Sequence, residues 1–197
     1  MDYNPFRRKI SELNKIEAAK GKFLVSEPFM EDPYFKRSVV LLTEHNKEGS
    51  VGFILNQALD IKLSELIEDF PELDFPVYLG GPVQPQNLFF LHSKGDLIPE
   101  AIQVSGDIYW SGNFDMLKGL IEQELIQKNE IKFFLGYSGW DFGQLKNELK
   151  TNSWFVQDSD PSLILSNDSE DLWKRVMAKA EKEIAMMVNY PENPNLN

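Results

Sequence analysis

The sequence predicts an α+β fold, with a mixed, largely antiparallel sheet flanked by helices. Three observations lead there. Short apolar runs fill the middle of the 197-residue chain, while helix-like stretches are scattered around them. Glycine-bearing clusters close three of those runs: Gly49-Ser50-Val51-Gly52, Gly80-Gly81-Pro82 and Gly136-Tyr137-Ser138-Gly139-Trp140. The runs at Ser38 to Glu44 and Val51 to Gln57 lack strict alternation, as expected of strands covered on both faces.

Taken in order, Arg8 to Lys20 reads as an amphipathic helix carrying Ile10, Leu13 and Ile16, with Gly21 ending it. Phe23 to Val25 is a short strand, and Pro28 to Pro33 a turn. The six residues His45 to Ser50 join two central strands as a hairpin, Gly49 supplying positive φ. Leu63 to Phe70 is a helix stopped by Pro71, and Val77 to Leu79 a strand entering a sharp turn at Gly80-Gly81-Pro82.

Leu88 to His92, Ile102 to Val104 and Ile108 to Trp110 read as strands. Asn113 caps a helix running to about Lys128, with Asp115 in its first turn. Ile131 to Leu135 is a strand. Gly136 to Trp140 then reads as a tight strand-to-helix turn, with Asp141 capping a helix to Leu149 and Gln144 as its capping-box partner. Ser153 to Val156 and Leu163 to Leu165 are extended, and a last helix spans Ser169 to Met187. With no repeat or linker in view, residues 1–190 are expected to form one domain, followed by a disordered polar tail from Pro191 to Asn197.

Composition excludes several classes. Acidic residues number 31 against 20 basic, a net charge of −11, which repels a phosphate backbone. Direct nucleic-acid binding is therefore not expected. The chain has no cysteine, which removes disulfides, thiolate chemistry and cysteine-ligated zinc. The longest apolar run, Val39 to Leu42, is far too short to span a membrane, and Met1 to Lys20 lacks a signal-like apolar core. A cytoplasmic location and no membrane partner are the expectations.

The motifs together resemble the AlgH/YqgE family of bacterial proteins. The resemblance starts with Gly21 to Ser26 and Asp32-Pro33-Tyr34-Phe35, and continues through Arg37 to Leu42 and Glu44-His45-Asn46. It runs on through Gly52 to Asn56, Gly80-Gly81-Pro82-Val83 and Leu91-His92, and closes with Phe134 to Trp140 and Asn152-Ser153-Trp154. It implies a single α+β unit with a mixed sheet, often described as a partly open barrel. It implies no established activity; some members are described, by an old inference, as transcriptional regulators.

No constellation passes the spacing test of a known chemistry. Gly136-Tyr137-Ser138-Gly139-Trp140 imitates a nucleophile elbow but has Trp140 where the pattern needs glycine. A hydrolase using Ser138 with His45 is nevertheless an alternative that structure can test. His45 and His92 lack metal-ligand spacing, and Asp158 to Asp160 and Asn167 to Asp171 lack the calcium-loop pattern. Gly80-Gly81-Pro82 lacks the lysine of a phosphate loop. No metal and no cofactor are expected, and the reading leans away from an enzyme. A non-enzymatic binding or regulatory protein with a protein or small-molecule partner fits best. Its candidate site gathers Glu44, His45, Asn46, Gly80, Gly81, Pro82, Val83, Tyr137, Ser138, Gly139 and Trp140 on one side of the sheet, if three strand ends converge there.

Overall fold

The computed structural model describes residues 15–68, 70, 75–169, 171–180 and 182–190. Its strands are β1 (Lys22–Ser26), β2 (Val39–His45), β3 (Gly49–Ile54), β4 (Ala58–Lys62), β5 (Pro76–Leu79), β6 (Val83–His92), β7 (Ile102–Ser105), β8 (Ile108–Trp110), β9 (Ile131–Asp141) and β10 (Trp154–Asp158). They form one sheet in the order β10-β1-β2-β3-β9-β6-β8-β7, with β5 added to β9 and β4 to β5. Every pairing is antiparallel except β5 with β9. The fold is thus α+β on a mixed, largely antiparallel sheet. The sheet is not closed into a barrel, because β10 and β7 end its path.

β1 and β2 are buried on both faces, which explains their unbroken apolar sequence. One face packs Val25, Leu41, Phe53, Phe134 and Phe155 against the segment carrying Leu163, Leu172, Trp173 and Met177. The opposite face is covered in two patches. Val40, Leu42, Ile54, Trp140 and Trp154 pack with Leu145, whereas Val77, Phe90 and Phe133 pack with Leu117 and Ile121.

β2 and β3 do form a hairpin, though its connection is residues 46–48 and His45, Gly49 and Ser50 belong to the strands; Asn113 does cap a helix, its side chain accepting from the Met116 N–H at 2.9 Å. Other expectations need correction. Arg8 to Asn14 lie outside the described residues, but 15–20 are not helical, so the expected first helix does not reach Gly21. Gly21 still has φ +82, in a turn closed by Lys22 N–H on Ala19 O. The expected helix after Lys62 is one turn, α1 (Leu63–Leu66), and Pro71 lies outside the described residues. α2 (Phe114–Glu122) stops six residues early, with Glu124 at φ +58 beyond its end.

The largest error concerns residues 136–140, which continue β9 to Asp141 instead of turning. The following helix α3 (Gln144–Lys150) is capped at Gly143, φ +77, and not by Asp141; Gln144 Oε1 does accept from the Asp141 N–H. Leu163 falls in a helical turn, α4 (Pro161–Ile164), because Asp160 accepts from Ser162 N–H and Pro161 suits the first position. The long C-terminal helix is divided into α5 (Leu172–Ala178), α6 (Lys182–Ala185) and a 3₁₀ turn, Met186–Asn189. Pro191 to Asn197, the expected tail, lie outside the described residues. Among the described residues, no helix is long and apolar enough to cross a membrane.

Candidate functional site

The Gly80-Gly81-Pro82 segment is a crossing of two backbones. Leu79 pairs with Leu135 on one edge of β9, while Val83 pairs with Tyr137 on the other. The chain between them must therefore pass over β9, and it does so at Gly136. A Cβ on Gly80 would lie 2.2 Å from Gly136 O, and one on Gly136 would lie 2.5 Å from Gly81 O. Only glycine permits that approach, and Gly136 also has φ +68. Gly80 N–H donates to Leu135 O at 2.8 Å, and Ser138 Oγ donates to Gly80 O at 3.0 Å. The expected turn at the end of the sheet is thus a crossover, with Gly80 and Gly81 buried in it and Pro82 exposed.

Beside this crossing lies an open hollow of about 430 Å³. Its floor is Gly139. Val51 is the cross-strand partner of both Glu44 and Gly139, so the three occupy one row on one face. Tyr137 and Asp141, two positions away along β9, share that face. The row ends in a vacancy because Gly139 has no side chain. Tyr137 and Val83 wall one side, with Asn46, Glu48 and Gln144 around the rim.

Two irregularities aim these groups. Leu42 pairs with Gly52 but Glu44 pairs with Val51, so Thr43 is an extra residue, a bulge. Simple alternation would place Glu44 beside the buried Leu42; the bulge turns it to the opposite face. The left-handed Gly136 does the same in β9. Phe134 and Tyr137, three residues apart, both pack on the same core, with Tyr137 edge-on to Phe89 at 5.7 Å. Both shifts were hard to read from sequence. A glycine inside an apolar run, as at 136, was the one available hint of a bulge.

The expected site therefore divides. Glu44, Asn46, Val83, Tyr137, Gly139 and Trp140 line the hollow. Asn46 also shapes its turn, Oδ1 accepting from Glu48 N–H at 2.8 Å. Gly80, Gly81 and Pro82 do not line it. His45 pairs with Ser50, faces the other way, and borders a separate cleft with Lys146 and Leu149. Its Nδ1 lies 2.7 Å from Ser50 Oγ. Ser138 is fully buried with its hydroxyl on Gly80 O, so the Ser138–His45 pair of the hydrolase reading is not formed. Trp140 reaches the hollow's edge from the core side, its indole donating to Glu148 Oε2 at 2.8 Å. Glu48, Gly49, Ser50, Val51, Asp141 and Gln144 also line the hollow and lie outside the expected site.

Titratable groups elsewhere have structural explanations. His92 is buried; its Nδ1 accepts from Lys94 N–H at 3.1 Å, so Nε2 carries the proton and donates to Ser111 O at 3.0 Å. Burial holds its pKa below the usual histidine value, and neither nitrogen is left for a metal. Among the described residues no group of three His, Asp or Glu stands together for a metal ion. Lys132 is 1% exposed, its Nζ 4.0 Å above the Tyr78 ring and 2.7 Å from Ser166 O. Burial pushes its pKa down to about 7.

A family model described as DUF179, AlgH-like, matches residues 23–185. The chain belongs to the AlgH-like family. It is similar to a UPF0301 protein of Parabacteroides distasonis, 43% identical over 186 residues that cover 93% of this chain and 94% of that one. A UPF0301 protein of Bacteroides thetaiotaomicron is 40% identical over 185 residues, covering 93% and 94%. Among solved structures, the solution structure of AlgH from Pseudomonas aeruginosa superposes with a TM-score of 0.69 at 26% identity, covering 91% of this chain and 98% of that one. The crystal structure of protein DIP2367 from Corynebacterium diphtheriae shares the fold, with a TM-score of 0.78 at 23% identity over 94% and 100%. The sheet is thus the fold shared with solved AlgH. UPF0301 relatives bring a shared fold and no stated activity.

Proposed function

We propose that the protein is a non-enzymatic binding protein and that the hollow over Gly139 is its binding site. One observation carries this reading. Gly139 is the cluster glycine whose missing side chain the surrounding backbone requires least. Its φ lies outside the left-handed region, and the nearest atoms to an added Cβ would be side chains, the Tyr137 ring at 3.3 Å, which would have to shift by a few tenths of an ångström, and Val83 Cγ2 at 3.5 Å. Glycine inside a strand costs roughly 0.5–1 kcal/mol relative to alanine, so a strand glycine that the backbone does not require points to a surface kept open. Regulation would follow from what occupies it. The net charge of −11 and the carboxylates at the rim oppose direct contact with nucleic acid.

The reading is tested by screening a library of metabolites and short peptides for thermal stabilisation of the wild type and of Gly139→Val. Ligands whose effect disappears in the variant support it. Ligands that stabilise both proteins equally place the site elsewhere, and turnover of any ligand by the wild type contradicts the non-enzymatic part.

A further inference from the structure

We propose that the hollow seats an arginine or lysine side chain from an extended, basic segment of a partner protein. This rests on the hollow being the binding site and adds the chemistry of its occupant. The rim carries Glu44, Glu48 and Asp141, and neither lysine nor arginine lines it. The ion pairs among the described residues, Lys22–Asp158, Lys94–Glu130, Lys174–Asp171, Arg175–Asp168 and Lys179–Asp160, all lie elsewhere. Three carboxylates with no ion-pair partner among the described residues, in a chain of net charge −11, leave a negative potential that a cationic group would neutralise.

The apolar parts fit the same ligand. The Tyr137 ring, held edge-on by Phe89, offers an aromatic wall for a cation. Val51 and Val83 offer contact for the methylene stem of a long basic side chain. A protein segment is favoured over a free amine for two reasons. Phe142, next to Asp141, is 76% exposed, the most exposed large apolar side chain among the described residues, and it gives contact area beyond one side chain. On the edge of β9 away from β3, the last strand pairing among the described residues is Tyr137 with Val83. Gly139 to Asp141 have no strand partner on that edge; the Asp141 N–H is taken by Gln144 Oε1, and an extended segment has the backbone from Gly139 to follow there.

The test is a binding titration with three fluorescent decapeptides of equal apolar content, carrying two arginines, two glutamates or two uncharged glutamines, with arginine amide as the small-molecule control. The basic peptide is expected to bind about tenfold or more tighter than the other three ligands, and to weaken as salt is raised. The Glu44→Gln/Asp141→Asn variant, checked for folding by circular dichroism, is expected to lose about tenfold in affinity for the basic peptide alone. If the acidic or uncharged peptide binds best, and Gly139→Val abolishes that binding, the cationic occupant is wrong while the binding site stands. If arginine amide binds as tightly as the peptide, the partner segment is overturned. Peptide binding unchanged by both Gly139→Val and the charge variant overturns the occupant and the site together.

Discussion

Trp140 and Trp154 donate to the same oxygen: both indole nitrogens lie 2.8 Å from Glu148 Oε2, with the rings 5.9 Å apart and nearly perpendicular. Trp140 is the last but one residue of the strand that floors the hollow, and Trp154 opens the strand at the sheet's edge. Glu148 on α3 therefore ties three elements at one point, and Phe35 packs on both rings. Glu148→Ala would remove the shared acceptor of both indole N–H groups, at a cost of about 1–3 kcal/mol for each donor that loses its bond. A clear fall in the urea midpoint is expected, with most of the loss recovered in Glu148→Gln, whose side-chain oxygen still accepts. An unchanged midpoint in Glu148→Ala would show that the shared acceptor contributes nothing.

The crossover is expected to tolerate no side chain. Gly136→Ala adds a Cβ 2.5 Å from Gly81 O at a φ of +68, where neither backbone has room to move. Overpacking of this kind costs about 1–3 kcal/mol, and the positive φ adds to it. Thermal denaturation should show a drop in Tm well beyond that of Gly139→Ala. Equal Tm values for the two variants would mean that the crossing is not held as described.

Ser138→Ala separates a structural hydroxyl from a nucleophile. Its Oγ donates to Gly80 O inside the crossing, so its removal is expected to lower stability by about 1 kcal/mol and to leave ligand binding intact. An activity lost with this substitution while folding is preserved would restore the hydrolase reading.

Lys132 gives the stability a pH dependence of definite sign. Its folded pKa, near 7, lies below its value in the unfolded chain, so between those values the unfolded chain holds the extra proton. Stability then rises with pH across that window and falls as pH drops toward 7. Urea midpoints measured from pH 7 to 9 should climb in the wild type and stay flatter in Lys132→Met, which keeps the chain length without the charge. A wild-type curve that falls over this range would contradict the assignment.

Much of the sheet was legible because the physics was local. Val39 to Leu42 is apolar in every position, as expected of a strand buried on both faces, and Asn113 followed by Asp115 marks a helix start. What remained hidden was non-local. Gly136 looks like a turn glycine because a single chain cannot reveal that Gly80 lies over it. Glu44 and His45 are adjacent in sequence, yet the Thr43 bulge sets which of them faces the hollow, and a one-residue shift of register exchanges the two faces. The candidate site was half found for the same reason. Its turns are visible in the sequence, but Asp141 looks like a helix cap as long as the strand is taken to end at Leu135, six residues short of the end of β9.

The most direct measurement is a paired one on Gly139→Val: its thermal stability, and its affinity for the two-arginine peptide. A Tm that falls far less than that of Gly136→Ala, together with a tenfold or greater loss of affinity, about 1.4 kcal/mol, is the expected result. A lowered Tm with affinity unchanged would show that Gly139 serves the fold and that the hollow is not the binding site.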